Sequence, residues 1–435
     1  MKPLVHATET DSMKNWAGNV EYSTEDIRHP SDVAEVAEIV AAVDAVGGQV
    51  KALGSRHSFS TIADTSGTLI ALDELVIEPS LHSDADDVAV SVRVGAGSTY
   101  AQVAAFLAVH DLALPNLASL PHISVAGAIQ TGTHGSGVRN GSLASSVLAL
   151  EIVRASGRVE TVREHDPDFA ASVVGLGAVG IVTAVTLRVE PAFQISQYVH
   201  EGLSWRNALA NWAAIMASGY SVSVFTTFQG ENTHQVWSKR RLDRDGPELD
   251  LTALGATEAL VALHPLPGVA ADSVTAQLRE PGPWNERLAH FRSEFQPSHG
   301  EEIQSEYLVP AEHAVAAITA LRELGGRIAP LLHIAELRSV AADTAWLSPS
   351  YARASLAIHF TWKPLADEIL PVLRLIEHTL EPFAPRPHWG KVSTMSPAGL
   401  RRAYPRLDDF AAHVRRVDPA GRFENAYLKR VFSHD

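Results

Sequence analysis

Two glycine-rich segments decide how the fold of this chain is interpreted: Gly54-Ser55-Arg56-His57-Ser58-Phe59, and Ser119-Leu120-Pro121-His122-Ile123-Ser124-Val125-Ala126-Gly127 with its continuation Gly132-Thr133-His134-Gly135-Ser136-Gly137. Each follows an apolar run that is typical of a strand. Segments rich in Gly, Ser and Thr allow backbone N–H groups to wrap around a phosphate, because no side chain beyond Cα blocks the approach. Two such segments predict one long anionic cofactor that is held at several points.

Length, composition and charge limit the class of protein. A chain of 435 residues exceeds one ordinary core and favours two domains. Its hydrophobic content of 46% and charged content of 20% are typical of a soluble globular protein. The net charge of -15 argues against a nucleic acid or an anionic membrane as the main partner. Because the chain has no cysteine, disulfides, thiolate metal sites and a cysteinyl link to a cofactor are excluded.

The hydropathy of the chain predicts a cytoplasmic location. The first nine residues contain no apolar core of a signal peptide. No segment approaches the length and apolarity of a membrane span. We therefore expect no membrane partner.

The N-terminal part reads as alternating helices and strands. Helices are predicted over 33–46 and 100–109, and strands over 50–53, 69–72, 88–95, 148–153 and 180–189. The glycine-rich segments lie between these elements, as expected of an α+β domain.

The composition of the sequence changes after Glu190-Pro191, with tryptophans, a charged loop over 239–248 and a proline-rich tract over 265–283, and this change indicates a second domain. Helices are predicted there over 311–324 and 370–380, and residues 382–387 read as a linker that returns to the first domain. A turn over 418–423 followed by a short strand is predicted near the end of the chain. The predicted boundaries are 1–190 for the main part of the first domain, 191–385 for the second domain and 386–435 for the return.

One further glycine motif has to be interpreted. Residues 175–180 spell G-x-G-x-x-G, which in a dinucleotide-binding fold follows a strand and opens a helix. Here a β-branched strand comes after it, so we interpret the motif as a turn into a strand that can still line the adenine side of a cofactor. Nicotinamide binding is not predicted.

Motifs along the whole chain resemble those of the vanillyl-alcohol-oxidase type of flavoprotein, and most of all those of the bacterial alditol (xylitol) oxidases. The motifs are the two glycine-rich segments together with Asn15-Trp16-Ala17-Gly18-Asn19, Ile334-Ala335-Glu336-Leu337-Arg338, His359-Phe360-Thr361-Trp362, Pro387-His388-Trp389-Gly390-Lys391 and Phe423-Glu424-Asn425-Ala426-Tyr427. The resemblance implies an α+β, two-domain vanillyl-alcohol-oxidase/PCMH-type fold. A bipartite FAD-binding domain would carry a mixed-sheet cap domain that binds the substrate.

The resemblance also implies the cofactor and its contacts. FAD would be attached covalently through His57, whose neutral imidazole is a suitable nucleophile toward the flavin 8α carbon. The other residues expected to contact FAD are Gly54, Ser55, Arg56, Ser58, Phe59, Ala118, Ser119, His122, Ser124, Gly127, Thr131, Gly132, His134, Gly135, Ser136, Gly180, Ile181, Val182, His388 and Lys391. His122 and His134 either bond the cofactor or only support their loops. Arg56 departs from the wider family, which often has glycine before the histidine, and this puts the loop conformation in question.

The substrate end is expected around Glu336 and Arg338, which are two residues apart and therefore share one face of a strand. On spacing alone they are equally well a surface ion pair. The resemblance assigns them to the substrate pocket with Lys391, Ser119 and Thr361. The substrate hydroxyl proton would pass to Lys391 or an adjacent group while a hydride goes to flavin N5. Arg338 would orient the substrate and Glu336 would accept a hydroxyl hydrogen bond.

Three further predictions complete the sequence interpretation. His333 and His359 are assigned to the core or the surface. Ala118 matches the small residue that lets oxygen reach the flavin in this family, so an oxidase that forms hydrogen peroxide is expected. The partners are a small polyol and O2, and the protein is expected to be a monomer.

Other functions were weighed against this one. An aldonolactone oxidase or dehydrogenase shares the same fold and stays open as the alternative. A flavin-free binding protein would have lost the histidine or the charged pocket, and both are present. No metal is expected, because no pair of histidines has the spacing H-x-x-x-H, and no G-x-S-x-G elbow of a serine hydrolase occurs.

Overall fold

A computed structural model describes residues 14–83, 90–246, 248–295 and 301–433. The helices are α1 (Val33–Ala45), α2 (Tyr100–Ala108), α3 (Val125–Gln130), α4 (Phe169–Ser172), α5 (Trp205–Ala210), α6 (Trp212–Met216), α7 (Trp284–Arg287), α8 (Ala314–Glu323), α9 (Gly325–Ile328), α10 (Ala366–Leu380), α11 (Pro397–Ala403), α12 (Leu407–Val417) and α13 (Ala426–Phe432). None of the helices in these ranges is both long and apolar enough to cross a membrane.

The strands follow the same order along the chain. They are β1 (Ile27–Arg28), β2 (Val50–Leu53), β3 (Thr68–Ala71), β4 (Ser80–Ser83), β5 (Val90–Gly95), β6 (Leu112–Ala113), β7 (Val147–Val153), β8 (Val159–Arg163), β9 (Ile181–Arg188), β10 (Glu190–Pro191), β11 (Gln194–Glu201), β12 (Ser221–Thr226), β13 (Gln235–Arg241), β14 (Thr257–Glu258), β15 (Pro281–Pro283), β16 (Ile303–Pro310), β17 (Leu332–Val340), β18 (Ser355–Trp362) and β19 (Arg386–Pro387).

The described N-terminal part contains two larger sheets and the short antiparallel pair of β6 and β10. Strands β1, β3 and β2 form a parallel sheet, and β4, β5, β9, β7 and β8 form an antiparallel one in that spatial order. The predicted helices and strands of this part are present, although Val88 and Ala89 of the strand expected over 88–95 lie outside the described residues. Helix α1 begins where Asp32 caps it by accepting a hydrogen bond from the Glu35 N–H at 2.8 Å.

The G-x-G-x-x-G motif is a turn between α4 and β9, as the sequence indicated. Gly177 and Gly180 have φ values of +61° and +136°, a backbone conformation that side chains disfavour. The motif therefore serves the geometry of a turn and does not open a helix.

The middle of the chain forms one large sheet in the order β14-β11-β13-β12-β17-β18-β16-β19, with β15 beside β11. Every described pairing in it is antiparallel, whereas we predicted a mixed sheet. Direct connections join β12 to β13 and β17 to β18, whereas the other neighbouring strands come from distant parts of the chain. The predicted linker over 382–387 ends in β19, which pairs with β16.

Alternation along three strands of this sheet separates a hydrophobic face from a polar one. One face packs against α5, α6, α8 and α10, and its central residues are Tyr307, Ala335, Leu337, Ile358, Phe360 and Trp362. The opposite face carries the residues between them, Glu306, Glu336, Arg338, His359 and Thr361. Register places His359 opposite both Glu306 and Glu336 on neighbouring strands, so these polar side chains are close in space.

The C-terminal segment returns to the first core, where Trp389, Tyr404, Phe410, Phe423 and Leu428 are buried. The short strand predicted after residue 423 is wrong, because helix α13 occupies that position. Asn425 caps this helix by accepting a hydrogen bond from the Leu428 N–H at 2.9 Å. The domain boundaries at residues 190 and 385 remain a prediction.

Candidate functional site

One cavity joins the glycine-rich segments to the polar face of the large sheet. Most of the predicted site residues line it: Gly54, Ser55, Arg56, His57, Ser58, Phe59, Ala118, Ser119, Ser124, Gly127, Thr131, His134, Gly180, Val182, Glu336, Arg338, Thr361, His388 and Lys391. The cofactor end and the substrate end expected from the sequence are thus two ends of the same space.

Five residues predicted to bind the cofactor lie outside the lining of this cavity. They are His122, Gly132, Gly135, Ser136 and Ile181. His122 contacts the Phe295 carbonyl, and Ser136 donates to the Val222 carbonyl. A Cβ on Gly135 would lie 2.3 Å from the Leu117 carbonyl oxygen, so the neighbouring backbone leaves room only for glycine at this position. These residues support the loops that carry the lining residues.

Two serines tie the glycine-rich segments together. The Ser55 N–H donates to Ser124 Oγ at 3.3 Å, and the Ser124 N–H donates to Ser55 Oγ at 3.1 Å. A Cβ on Gly54 would lie 2.5 Å from Ser124 Oγ, and one on Gly127 would lie 2.7 Å from it. Glycine at both positions therefore lets the two segments meet and leaves their backbone exposed to the cavity.

The backbone conformation of Arg56 shows how the loop accommodates an arginine before His57, where the wider family often has glycine. Its φ is +59°, in the left-handed region where glycine has no steric cost. The loop keeps the conformation that glycine would favour, with a larger residue held in it.

His57 is a buried, oriented and neutral imidazole. Its ring stacks on Trp16 with centroids 5.0 Å apart, and Nδ1 lies 2.9 Å from the Ser55 carbonyl oxygen. Burial lowers the pKa of His57 to about 4; the hydrogen bond with the Ser55 carbonyl partly opposes burial, and His122 adds a smaller lowering. A neutral imidazole keeps one nitrogen lone pair, which a nucleophile needs.

Lys51, which the sequence analysis did not select, holds the turn at the far end of the cavity. Its ammonium donates to the carbonyls of Leu176 at 3.2 Å, Gly177 at 2.8 Å and Phe423 at 3.3 Å. Burial lowers the pKa of Lys51 to about 7, while Asp418 opposes this effect. Three acceptors match the three N–H bonds of an ammonium group. A charged residue in the apolar strand Val50-Lys51-Ala52-Leu53 was the sequence signal for it.

These features fit a flavin dinucleotide. The cavity passes from the turn at Gly177 along two segments of exposed backbone to the polar sheet face. Exposed N–H groups and hydroxyls suit a pyrophosphate and a ribityl chain, and His57 lies where the two segments meet. The residues that would hold the cofactor are therefore those of the two tied segments and the turn over 176–180.

Glu306 is the centre of the substrate end, and the sequence analysis missed it. Its carboxylate accepts hydrogen bonds from Lys391 Nζ at 2.6 Å and from an Arg338 amino group at 3.0 Å, and His134 Nε2 lies 3.3 Å away. Burial raises the pKa of Glu306, but Lys391, His134 and Arg338 together hold it well below its usual value. A glutamate inside the apolar run Ile303–Pro310 was the available signal.

Glu336 forms the second carboxylate of the cluster. Its Oε1 lies 2.7 Å from His290 Nε2, and its Oε2 lies 3.6 Å from Arg338 Nε. Burial again acts to raise its pKa, and Arg338 and His290 outweigh burial and keep Glu336 ionised. Arg338 also donates to Ser119 Oγ at 3.2 Å. The interpretation of Glu336 and Arg338 as an exposed surface pair is wrong, since both are 5% exposed.

His359 belongs to the site, which corrects its assignment to the core or surface. Lys391 Nζ donates to His359 Nδ1 at 2.7 Å, and His359 Nε2 lies 3.1 Å from Thr361 Oγ1. Burial and the charge of Lys391 lower the pKa of His359 to about 3, so the ring is neutral. Burial also lowers the pKa of Lys391, with Glu306 opposing it. His333 lies outside the cavity lining.

The substrate end is electrically balanced and rich in hydrogen-bonding groups. Two carboxylates, Glu306 and Glu336, face two cations, Arg338 and Lys391. Ser119 and Thr361 add hydroxyl groups to the same space. Buried hydroxyls of a ligand need both donors and acceptors, and this end of the cavity supplies both.

Comparisons with known proteins agree with this geometry. Residues 26–163 match the family described as FAD binding domain, and residues 298–431 match the family described as D-arabinono-1,4-lactone oxidase. The second match covers Glu306, Glu336, Arg338, His359 and Lys391. The two matches therefore correspond to the two ends of the cavity.

Relatives are similar over nearly the full chain. An alditol oxidase of Streptomyces sp. (strain IKD472 / FERM P-14339) is 46% identical over 96% of this chain and 98% of its own length. An L-gulono-1,4-lactone dehydrogenase of Mycobacterium tuberculosis is 28% identical over the same shares of the two chains. An L-gulonolactone oxidase of Mus musculus is 26% identical over 99% of this chain and 100% of its own length.

A solved structure shows the same fold. The cholesterol oxidase from B. sterolicum superposes with a TM-score of 0.77 at 14% identity, covering 97% of this chain and 96% of the other. The α+β fold of vanillyl-alcohol-oxidase/PCMH type that we predicted is therefore confirmed. At 46% identity over almost the whole chain, the protein belongs to the alditol oxidase family of FAD-dependent oxidoreductases.

Proposed function

We propose that this enzyme oxidises the terminal primary alcohol of alditols such as xylitol and sorbitol to the aldose, with O2 reduced to H2O2. The observation that carries the proposal is the balanced cluster of two carboxylates, an arginine and a lysine in the cavity that the FAD-binding segments also line. Alternating hydroxyl donors and acceptors along a polyol match the alternating acceptors and donors of this cluster.

Each residue of the cluster has a distinct part in binding. Arg338 and Ser119 form a donor pair that orients one substrate hydroxyl, while Glu336 Oε2 accepts another. Glu306 holds the Arg338 and Lys391 side chains apart at fixed positions, since it bonds both. When bound, FAD accepts the hydride from the substrate carbon and later passes the electrons to oxygen. Burial excludes water from the site and strengthens each of these interactions.

The proton of the reacting hydroxyl goes to Lys391. Burial lowers the pKa of this amine, so the uncharged form that accepts a proton becomes accessible nearer neutral pH. His359 stays neutral and accepts a hydrogen bond from Lys391, which fixes the direction of the amine. Thr361 in turn fixes the ring of His359. Lys391 is the base in this proposal, and His359 positions it.

Three finer properties belong to the same proposal. FAD is linked covalently through His57, because this imidazole is neutral, oriented and placed between the two FAD-binding segments. Ala118 beside Ser119 lines the cavity with a small side chain, which leaves room for oxygen and favours an oxidase. A cytoplasmic location and a monomeric state complete it.

The covalent link is tested by acid precipitation of the purified protein. We expect a yellow pellet from the wild-type protein and a colourless pellet with yellow supernatant from His57→Ala. Yellow released from the wild-type protein would contradict the link while leaving FAD binding intact. His110→Ala is a matched control on the surface, because His110 is exposed and lies outside the cavity.

The reaction is tested by peroxide formation with xylitol and sorbitol. We expect oxygen-dependent peroxide and an aldose product, and Lys391→Met should lower kcat by about 100-fold or more. Flavin that is reduced by neither polyol would overturn the proposed function. Reduction by polyols without peroxide would limit the enzyme to a dehydrogenase.

A second function is an aldonolactone oxidase or dehydrogenase. It is favoured by the match of residues 298–431 to D-arabinono-1,4-lactone oxidase and by the L-gulono-1,4-lactone dehydrogenase that resembles this chain. A lactone ring has fewer donors than an open alditol and would use fewer of the acceptors in the cluster. Comparing kcat/KM for xylitol, sorbitol and gulonolactone separates the two functions, and we expect the alditols to be preferred.

A further inference from the structure

His290 is a buried histidine of the cavity that the proposed reaction does not use. Its Nε2 lies 2.7 Å from Glu336 Oε1 and 3.3 Å from Ser223 Oγ, so Glu336 is the nearer partner, and its Nδ1 has no hydrogen-bond partner in the described part of the chain. Burial lowers the pKa of His290, although Glu336 opposes this, so the ring is neutral. The nitrogen that faces an ionised carboxylate must carry the proton. Nε2–H therefore donates to Glu336 Oε1.

The segment that carries His290 is fixed by buried hydrogen bonds. Lys239 Nζ donates to the carbonyls of the three preceding residues, Arg287 at 2.7 Å, Leu288 at 2.8 Å and Ala289 at 2.6 Å. Thr275 bonds both Ala289 and His290 through the backbone of that segment. This arrangement sets the position of the His290 backbone.

Aromatic packing fixes the ring itself. Trp237 lies with its ring centroid 5.2 Å from that of His290, and Phe225 lies 5.9 Å away. Trp237 and Phe225 belong to the small hydrophobic cluster at this end of the cavity. Because the backbone and the ring of His290 are both fixed, its Nε2–H bond points in one fixed direction.

A fixed His290 makes the two oxygens of Glu336 unequal. Oε1 is occupied by His290, whereas Oε2 has no hydrogen-bond partner among the described residues and lies 3.6 Å from Arg338 Nε. Because one oxygen is anchored, the carboxylate plane has a set orientation. Oε2 is then a preorganised acceptor beside the arginine, and preorganisation increases discrimination between ligands.

We propose that His290 is a positioning residue that determines specificity: it anchors Glu336 Oε1 and thereby aims Oε2 at one hydroxyl of the substrate. The enzyme then discriminates against an alditol that lacks this hydroxyl. This inference rests on the proposed function, since a polyol is the ligand that Oε2 recognises. A buried polar group left without its partner produces such discrimination in enzyme sites.

The test measures kcat/KM for xylitol and for its 2-deoxy, 3-deoxy and 4-deoxy analogues. In the wild-type enzyme we expect one analogue to be poorer by about 10- to 100-fold, as for a hydrogen bond to a charged group. In His290→Leu this one ratio should fall to below about 5-fold while the other ratios stay unchanged. His290→Gln should restore part of the discrimination, because its amide N–H can still donate to Glu336.

Controls separate positioning from general damage. His200→Leu removes a buried histidine of β11 that lies outside the cavity, and it should leave every ratio unchanged. Should His290→Leu not fold, His290→Asn serves instead, because its shorter amide does not reach Glu336.

The outcomes distinguish this inference from the proposed function. Unchanged ratios in the His290 variants, or an equal loss with all four substrates, would overturn the role of His290 and leave alditol oxidation standing. Failure of the wild-type enzyme to oxidise xylitol would instead contradict the proposed function.

Discussion

The two ends of the cavity are built in different ways. The cofactor end consists of backbone from two continuous segments, where Gly54 and Gly127 allow close approach and two serines tie the loops. The substrate end consists of charged side chains from β16, β17 and the segment after β19, together with the polar side chains of His359 and Thr361 from β18. The cofactor end therefore depends on the shape of each loop, whereas the substrate end depends on the balance of positive and negative charges among its side chains.

The difference predicts how each end responds to substitution. A change at the cofactor end should alter loop geometry and flavin content with modest electrostatic effect. A change at the substrate end should leave a buried charge without its partner, which costs more. Removing single groups from each end tests this contrast.

The largest effect is expected for Glu306→Gln, at the substrate end. The change leaves Lys391 and Arg338 without their shared buried carboxylate, so we expect a loss of about 3–5 kcal/mol in the free energy of unfolding. Activity with xylitol should fall by about 100-fold or more, since both cations lose their positions. Denaturant unfolding and steady-state kinetics measure the two effects. Asp408→Asn is the control, because its exposed pair with Arg401 should contribute within about 1 kcal/mol.

The next largest effect is expected on replacing either of two buried lysines, Lys51 at the cofactor end and Lys239 at the substrate end. Lys51 and Lys239 each donate to three carbonyls, so Lys51→Met and Lys239→Met should each destabilise the protein by about 3 kcal/mol or more. The readouts should differ in kind. Lys51→Met should lower the flavin content per protein, because Lys51 holds the turn that lines the cofactor end.

Lys239→Met should instead keep its flavin and lose selectivity among alditols. Flavin absorbance relative to protein absorbance and a thermal melt measure flavin content and stability, and kcat/KM for xylitol and for sorbitol measures selectivity. Equal flavin content in the two variants would contradict the assignment of the lysines to separate ends.

The sequence was informative about the cofactor end because its signals are local. Gly54 and His57 lie in the first short motif and Gly127 lies in the second, and their positions follow from the strand or helix that each motif joins. The longer helices and strands of the first 190 residues were predicted for the same reason, whereas β1, β4, β6, β8, α3 and α4 were not predicted. Five of the residues predicted to contact the cofactor, Gly135 among them, lie outside the cavity lining, and their assignment stays a prediction.

The substrate end could be predicted only in part because it is not local. Glu336 and Arg338 were found by their spacing of two, but Glu306 and His359 join them only through the register of three antiparallel strands. Register depends on pairing between distant segments, which one sequence does not specify. His290 was missed for the same reason, since its partner Glu336 is 46 residues away.

The pH dependence of stability separates the two ends further. The folded-state pKa of Glu336 lies below its ordinary value of 4.5, so its ionised form stabilises the fold above about that pH, and the contribution is lost as the pH falls below it. Glu336→Gln removes this contribution at every pH. We therefore expect the difference in melting temperature between wild-type and variant to be constant from pH 6 to about pH 4.5 and to narrow steadily from there to pH 3. Parallel melting curves over that range would show that Glu336 is not stabilised by its partners.

The smallest effect is expected at Arg56 in the cofactor end. Its backbone adopts the left-handed conformation that favours glycine, although the residue is an arginine. With φ at +59°, a residue with a Cβ pays a steric cost that glycine avoids, about 1 kcal/mol. Comparing Arg56→Gly with Arg56→Ala isolates the backbone, because both variants lack the guanidinium group. The glycine variant should be the more stable of the two by about that amount in denaturant unfolding, with similar flavin content. A more stable alanine variant would mean that the loop leaves the left-handed conformation, and the backbone-built end of the cavity would then be less fixed than its tied serines indicate.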